Sequence, residues 1–213
     1  MFELRYRIVE DLQRLLNISC YEFDKEVSDF EGLIELDFNG NKIGYMFDGE
    51  ITKEMLEVGC FQWDWIFLWF EKLLEVVEKL QTNDYLILSE IECSAWIKFT
   101  KLNDCLKVRE LKELIKDTPN FKSSHKPLIS TSHLTETVEL KTGETFIRYV
   151  EFDETDFEET IIKQDEFESE ILGKAKYLIK EVENLFPNLS NSKVLIDFKN
   201  LLSNIEQLYD FNS

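Results

Sequence analysis

The sequence predicts an α+β fold: antiparallel sheet built from hairpins and a meander, packed on an aromatic-rich helix, with two antiparallel helices at the C-terminus. Three observations carry that expectation. Asn39-Gly40 separates the alternating runs 33–38 and 42–47, and Asn-Gly accepts the positive φ of a tight hairpin turn. In 61–80, the residues Phe61, Trp65, Leu68, Trp69, Leu73, Val76, Val77 and Leu80 recur every three or four positions, the period of a helix. Beyond Asp153 an approximate apolar stripe from Phe157 through Ile161, Phe167, Ile171, Leu178 and Val182 to Phe186 replaces strand-like alternation, and Pro187 ends it.

The remaining elements follow in order. Residues 2–9 alternate like a strand, and the segment 10–16 has a helical look. Asn83-Asp84 breaks the aromatic helix, and 85–88, 95–99 and 106–111 read as three strands of a meander joined to the first hairpin. Residues 118–127 are polar and breaker-rich, a loop, and 135–140 with 145–150 form a second hairpin turning at 141–143. A last helix starts after Ser190 or Asn191, either of which can cap it, and runs to about Tyr209. The chain therefore reads as a single α+β domain over 1–213, with a β-rich part (1–150) holding one core helix and a helical part (151–213).

Composition narrows the function. There are 43 Asp+Glu against 24 Lys+Arg, a formal net charge of −19. With 44% hydrophobic and 13% aromatic residues, this charge does not mean disorder, because a core is available. Phosphate-backbone binding is disfavoured, since it needs clustered Lys and Arg. No apolar run reaches the roughly 18 residues of a membrane helix, and the start lacks a signal-like apolar region, so a soluble cytoplasmic protein is expected. Cys20, Cys60, Cys93 and Cys105 include no C-x-x-C pair and are expected to be reduced and mostly buried.

Ten of the acids fall between Glu151 and Glu170 with one lysine, Lys163. The segment is expected to open the long helix, where acids complement the macrodipole. That effect fades after the first turn, so the surplus points to a basic protein partner, met by Asp153, Glu154, Asp156, Glu158, Glu159, Asp165 and Glu166. The aromatic run reads first as a helix buried on both sides; the sharper alternative makes Trp63, or Phe67 on the other flank, a candidate interface anchor.

Catalytic readings have less to stand on. His125 and His133 flank the polar loop without the local half-site of a metal centre, and a dyad of Cys93 or Cys105 with His133 has no positive support. With 43 acids, carboxylate pairs arise by chance. Asp197-Phe198-Lys199 sits on a predicted helix, unlike the strand-borne acid-x-Lys of metal-dependent nucleases. No phosphate-binding glycine motif occurs, so no cofactor is expected. The alternatives to a binding protein are a hydrolase with a carboxylate/His cleft around His125 and His133, or a structural subunit of a larger complex.

The segments GLIELDFNGNKIGYMF, WIFLWFEKLLEVVEKL, NDYLILSEIECSAWIKF and NDCLKVRE, within residues 32–111, have a layout that resembles bacterial immunity proteins of polymorphic toxin and contact-dependent inhibition systems. The resemblance covers a little over a third of the chain. It implies a small cytoplasmic α/β protein that binds a cognate toxin domain, often a basic nuclease, and masks its active site. It carries no catalytic residues.

Overall fold

The computed structural model describes residues 1–9, 12–52, 54–55, 63–89, 95–113, 129–130, 135–139, 145–149 and 152–210. Strand β1 (Phe2–Ile8) buries Phe2 and Leu4 and exposes Glu3, as its alternation demands. Two short helices, α1 (Leu12–Asn17) and α2 (Cys20–Glu22), lead into a wider helical turn at Phe23–Val27. Strand β2 (Glu31–Phe38) pairs antiparallel with β1, Leu4 opposite Leu36, and with β3 (Asn41–Gly44), Phe38 opposite Asn41. The two-residue turn has positive φ at both Asn39 (58°) and Gly40 (98°), the hairpin geometry expected of Asn-Gly. Strand β4 (Asp64–Trp65) adds to β2 at Glu31 and Gly32, and α3 (Ile66–Leu80) follows directly.

The chain then enters a second sheet. Strands β5 (Tyr85–Ser89), β6 (Ala95–Leu102) and β7 (Cys105–Glu113) form the expected meander, and β8 (Ile129–Ser130) pairs with the free side of β5. Strands β9 (Thr135–Glu139) and β10 (Thr145–Tyr149) make the second hairpin. Strands β11 (Phe152–Glu154) and β12 (Thr160–Lys163) both pair with β7, and helices α4 (Gln164–Leu185) and α5 (Lys193–Asp210) close the chain.

Helix α3 lies at the centre. It touches β2, β5, α4 and α5, and it buries Ile66, Phe67, Trp69, Phe70, Leu73, Leu74, Val76, Val77 and Leu80, residues on more than one face. This is the helix buried on both sides that the aromatic run allowed, and Phe67 is core, not an interface anchor. Rings tie the layers together: Phe67 lies 5.1 Å from Phe30 and 4.9 Å from Phe198, and Phe167 of α4 lies 4.8 Å from Phe2 and 5.4 Å from Phe99.

Helix ends are satisfied from a distance. Trp65, the residue before α3, offers no side-chain cap; Asp29 accepts instead from the backbone N–H groups of Phe67 (2.7 Å) and Leu68 (2.9 Å), as well as from its neighbour Phe30. Helix α5 is capped by Ser192, whose Oγ accepts from Leu195, and by Asp24, whose carboxylate accepts from Lys193 and Val194. Two acids of one short segment thus complete two core helices.

Several expectations are corrected. The aromatic helix begins at Ile66, because Trp65 is extended and paired to the edge of β2. The first hairpin and the meander belong to separate sheets, with α3 packed against both. Strand β3 ends at Gly44, where φ of 81° turns the chain across the outer face of the first sheet. The stretch 152–163 is not helical: Thr160-Ile161-Ile162 is β-branched, and the open edge of β7 takes it as strand. Cys20 and Cys105 are free but only half-buried, and Cys60 and Cys93 lie outside the described residues.

Gly44 offers a clean test of this turn. A Cβ there would collide with the carbonyl oxygen of Ile34, whereas at Gly40 nothing lies within 4 Å. Gly44→Ala is therefore expected to cost more than Gly40→Ala, whose penalty is the roughly 1 kcal/mol of a strained φ. Urea denaturation of the two variants compares them; equal losses would mean that the close approach at Gly44 relaxes freely.

Candidate functional site

The acidic segment forms a broken edge strand. Strand β11 pairs with Leu111 to Glu113 of β7 and β12 with Cys105 to Val108, so only Arg109 and Glu110 of β7 face the five intervening residues 155–159. Three more residues on one side than the other make a wide bulge. Thr155 pins it, donating from its hydroxyl to Glu110 O (3.4 Å) and accepting from the Phe157 N–H (3.2 Å). Phe157 turns inward against Phe38, ring centres 6.1 Å apart, and the Asn41 side-chain amide donates to the Glu158 carbonyl (3.3 Å). With Phe157 held inside, Asp156 and Glu158 point outward and are exposed.

The ten acids then separate by use. Glu159 holds Lys107 (3.4 Å) and Arg109 (3.0 Å). Glu166 pairs with Lys163 at 3.7 Å, and Asp165 accepts from the Glu166 N–H in the first turn of α4, the ordinary place for helix-starting acids. Glu168 is buried, accepting from Gln81 (3.0 Å) and Gln164 (2.7 Å) beside Tyr209, whose hydroxyl burial and Glu168 together hold in the protonated form. Glu170 accepts from Leu4 N–H on the outer edge of β1 (3.2 Å) and lies 3.7 Å from Lys174. Asp153, Asp156 and Glu158 make no side-chain hydrogen bond or ion pair among the described residues. Glu151 and the Glu154 side chain fall outside them.

The structure thus brings Asp153, Asp156, Glu158 and Glu159 onto one sheet edge, with Asp165 and Glu166 at the far end of β12, about 13 Å further along the strand. Trp63 lies elsewhere. It precedes β4 at the Glu31 end of β2, whereas the bulge meets the Phe38 and Asn41 end, about 23 Å away along the strand. Its neighbour Asp64 has a structural task, accepting from the Trp69 indole N–H at 3.0 Å.

Other candidates stand as follows. His125, His133 and Cys93 lie outside the described residues. Burial and the adjacent Asp104 push the Cys105 thiol above its ordinary pKa, which disfavours the thiolate a nucleophile needs. Asp197-Phe198-Lys199 is on α5, with Phe198 buried and Lys199 bonded to Glu183 at 2.6 Å. Among the described residues no group of three or more His, Cys, Asp or Glu is arranged to hold a metal ion, and no helix is long and apolar enough to cross a membrane.

What sequence reasoning missed is the role of two single acids, Asp24 and Asp29, and the basic residues on the sheet beside the bulge. Neither acid carried a local signal, since each caps a helix that starts far along the chain from it. Comparison with protein families, curated proteins and solved structures finds no match.

Proposed function

We propose that the protein is a non-enzymatic acidic inhibitor that binds a cognate toxin, a basic nuclease domain, and masks its active-site surface. One observation carries the reading. Asp156 and Glu158, on a bulge whose backbone is anchored by Thr155, Phe157 and Asn41, and Asp153 on the strand just before it are exposed and make no side-chain hydrogen bond or ion pair among the described residues. Acids held this way lose little freedom on meeting a cationic surface, and their field speeds encounter with it. The resemblance of residues 32–111 to immunity proteins agrees with this reading, and the net charge of −19 suits a basic partner.

The triple variant Asp153→Asn, Asp156→Asn, Glu158→Gln tests it. Wild-type protein, used as bait in its native lysate, is expected to capture a basic protein whose growth inhibition it relieves, with affinity falling steeply between low and physiological salt. The triple variant is expected to bind about tenfold or more weakly and to lose much of that salt dependence. A partner held equally by both proteins would move the interface away from the bulge.

A second reading rests on the same geometry. A broken, acid-bearing edge strand resists pairing with a second sheet edge, so the charges would guard against aggregation. Under this reading the triple variant self-associates in gel filtration and captures nothing less than wild type does.

A further inference from the structure

Strand β1 is an edge of the first sheet, and half of its backbone points away from that sheet. Val9 N–H donates to Glu31 O and Asn39 N–H to Met1 O, each at 3.0 Å, so the odd-numbered residues of β1 bond to β2 and the even-numbered ones face outward. The Leu4 N–H is taken by Glu170 (3.2 Å). The N–H and C=O of Tyr6 and the N–H of Ile8 have no hydrogen-bond partner among the described residues. Unpaired ladder groups are a template for another strand.

This edge lies in a groove. Among the described residues, a cavity of about 430 Å³ touches Glu3, Arg5 and Arg7 on one face of β1, Tyr6 on the other, and nothing of β2, which puts it beside the open edge. One wall is α4, through Lys174, Tyr177 and Glu181; the other is Met46, Phe47 and Asp48, just after the turn at Gly44. Both walls are tied to β1. Glu181 accepts from the Tyr6 hydroxyl (2.8 Å), Asp48 pairs with Arg5, and Arg7 donates to the carbonyls of Phe47 (3.1 Å) and Gly49 (2.7 Å).

We infer that this groove receives an extended peptide segment of a partner protein, added antiparallel to β1 as a further strand. In an antiparallel pair two opposite residues exchange both bonds, so one partner residue satisfies both free groups of Tyr6. A second copy of this chain is not the occupant: its β1 is recessed between the same walls, and two recessed edges do not meet. A lone extended segment enters freely, with its side chains alternating between the walls. Those on the α4 side meet Tyr177, which is 60% exposed, and are apolar. Those on the other side lie opposite Arg7 and Glu3. Arg7 has no carboxylate within ion-pair distance, and Glu3 makes no ion pair or side-chain hydrogen bond, among the described residues; Arg5 between them is held by Glu35 and Asp48. The segment that fits therefore carries an acid opposite Arg7 and, four residues later, a base opposite Glu3. Strand β1 and the strand of Asn41, which meets the acidic bulge, are opposite edges of the first sheet, so the groove stands independently of the partner proposed for the bulge.

Fluorescence anisotropy with the full chain and an end-blocked, fluorescein-labelled peptide, Thr-Asp-Val-Thr-Val-Lys-Thr, tests the inference. Saturable binding is expected. N-methylation of the first valine, which is set opposite Tyr6, removes a ladder donor and is expected to weaken binding about tenfold. N-methylation of the central threonine, whose N–H points away from β1, is expected to leave it unchanged. Glu3→Lys is expected to bind about threefold more weakly, and a peptide with Glu in place of its Lys to restore the loss. Because Glu3 is exposed and the other changes are in the peptide, lost binding is separable from lost folding. The triple variant of the bulge acids is expected to bind the peptide as wild type does, so failure of the toxin reading leaves this one standing. Absence of saturable binding overturns the inference. Equal losses from the two N-methylated peptides do so as well, since they mean contact without strand pairing, as do a Glu3→Lys loss that the exchanged peptide does not restore and a triple variant that loses the peptide.

Discussion

Phe167→Ala is expected to destabilise the protein by about 3–5 kcal/mol. Phe167 is fully buried on α4, and its ring meets Phe2 of the first sheet and Phe99 of the second at 4.8 Å and 5.4 Å. Truncation would leave a cavity where the two sheets and the helix converge, and rigid strands on either side limit how far it can collapse. A loss of that size is a large share of the 5–15 kcal/mol typical of a folded domain. Urea denaturation measures it through the midpoint, with Phe167→Leu as a milder comparison losing about 1–2 kcal/mol. A loss below about 1 kcal/mol for the alanine variant would mean that Phe167 does not join the layers.

Asp29→Ala is expected to cost about 2–3 kcal/mol at neutral pH, although it deletes no apolar contact of note. Its carboxylate accepts from the N–H groups of Phe30, Phe67 and Leu68, two of which start the central helix α3, and alanine leaves all three without that acceptor. Asp29→Asn keeps one oxygen and should lose less.

The pH dependence separates the charge of Asp29 from its hydrogen bonds. Burial pushes its pKa up to about 6, against the pull of the three N–H groups, with the Glu71 charge adding to the rise. A folded-state value above the unfolded one of about 4 means stability that is full below about pH 4 and lost as pH rises through about 6. The stability difference between wild type and Asp29→Asn should therefore shift against wild type from pH 4.5 to 7.5, by on the order of 2 kcal/mol. A shift the other way would show that the three donors outweigh burial.

The helix-ending acids also show where sequence reading stops. The Asn39-Gly40 hairpin, the meander and the stop of α4 before Pro187 were legible because each depends on neighbours within a few residues: turn chemistry, alternation and a proline that cannot continue a helix, whereas α5 is capped by Ser192 and the distant Asp24 instead of Ser190 or Asn191. Helix α3 was legible as a helix, but its first turn was not, since Trp65 is drawn into pairing with Glu31. Phe157 and Ile161 fitted the helical stripe of α4 by spacing, yet one is the inward anchor of a bulge and the other is 55% exposed on an edge strand. The open side of β7 decided this, and it lies some fifty residues earlier in the chain.

The sequence by itself determined the α+β class, the surplus of acid and its concentration near residues 151–170. Only the tertiary structure decided what each acid does. Glu159 neutralises two cations, Glu168 closes a buried network, Glu170 caps a strand edge, and Asp24 and Asp29 cap helices from 169 and 38 residues away. Asp153, Asp156 and Glu158 are left exposed to solvent. The reason is physical. A carboxylate is written into the sequence as a charge, but its energy depends on the donor or cation placed within a few ångströms, and folding sets that neighbour.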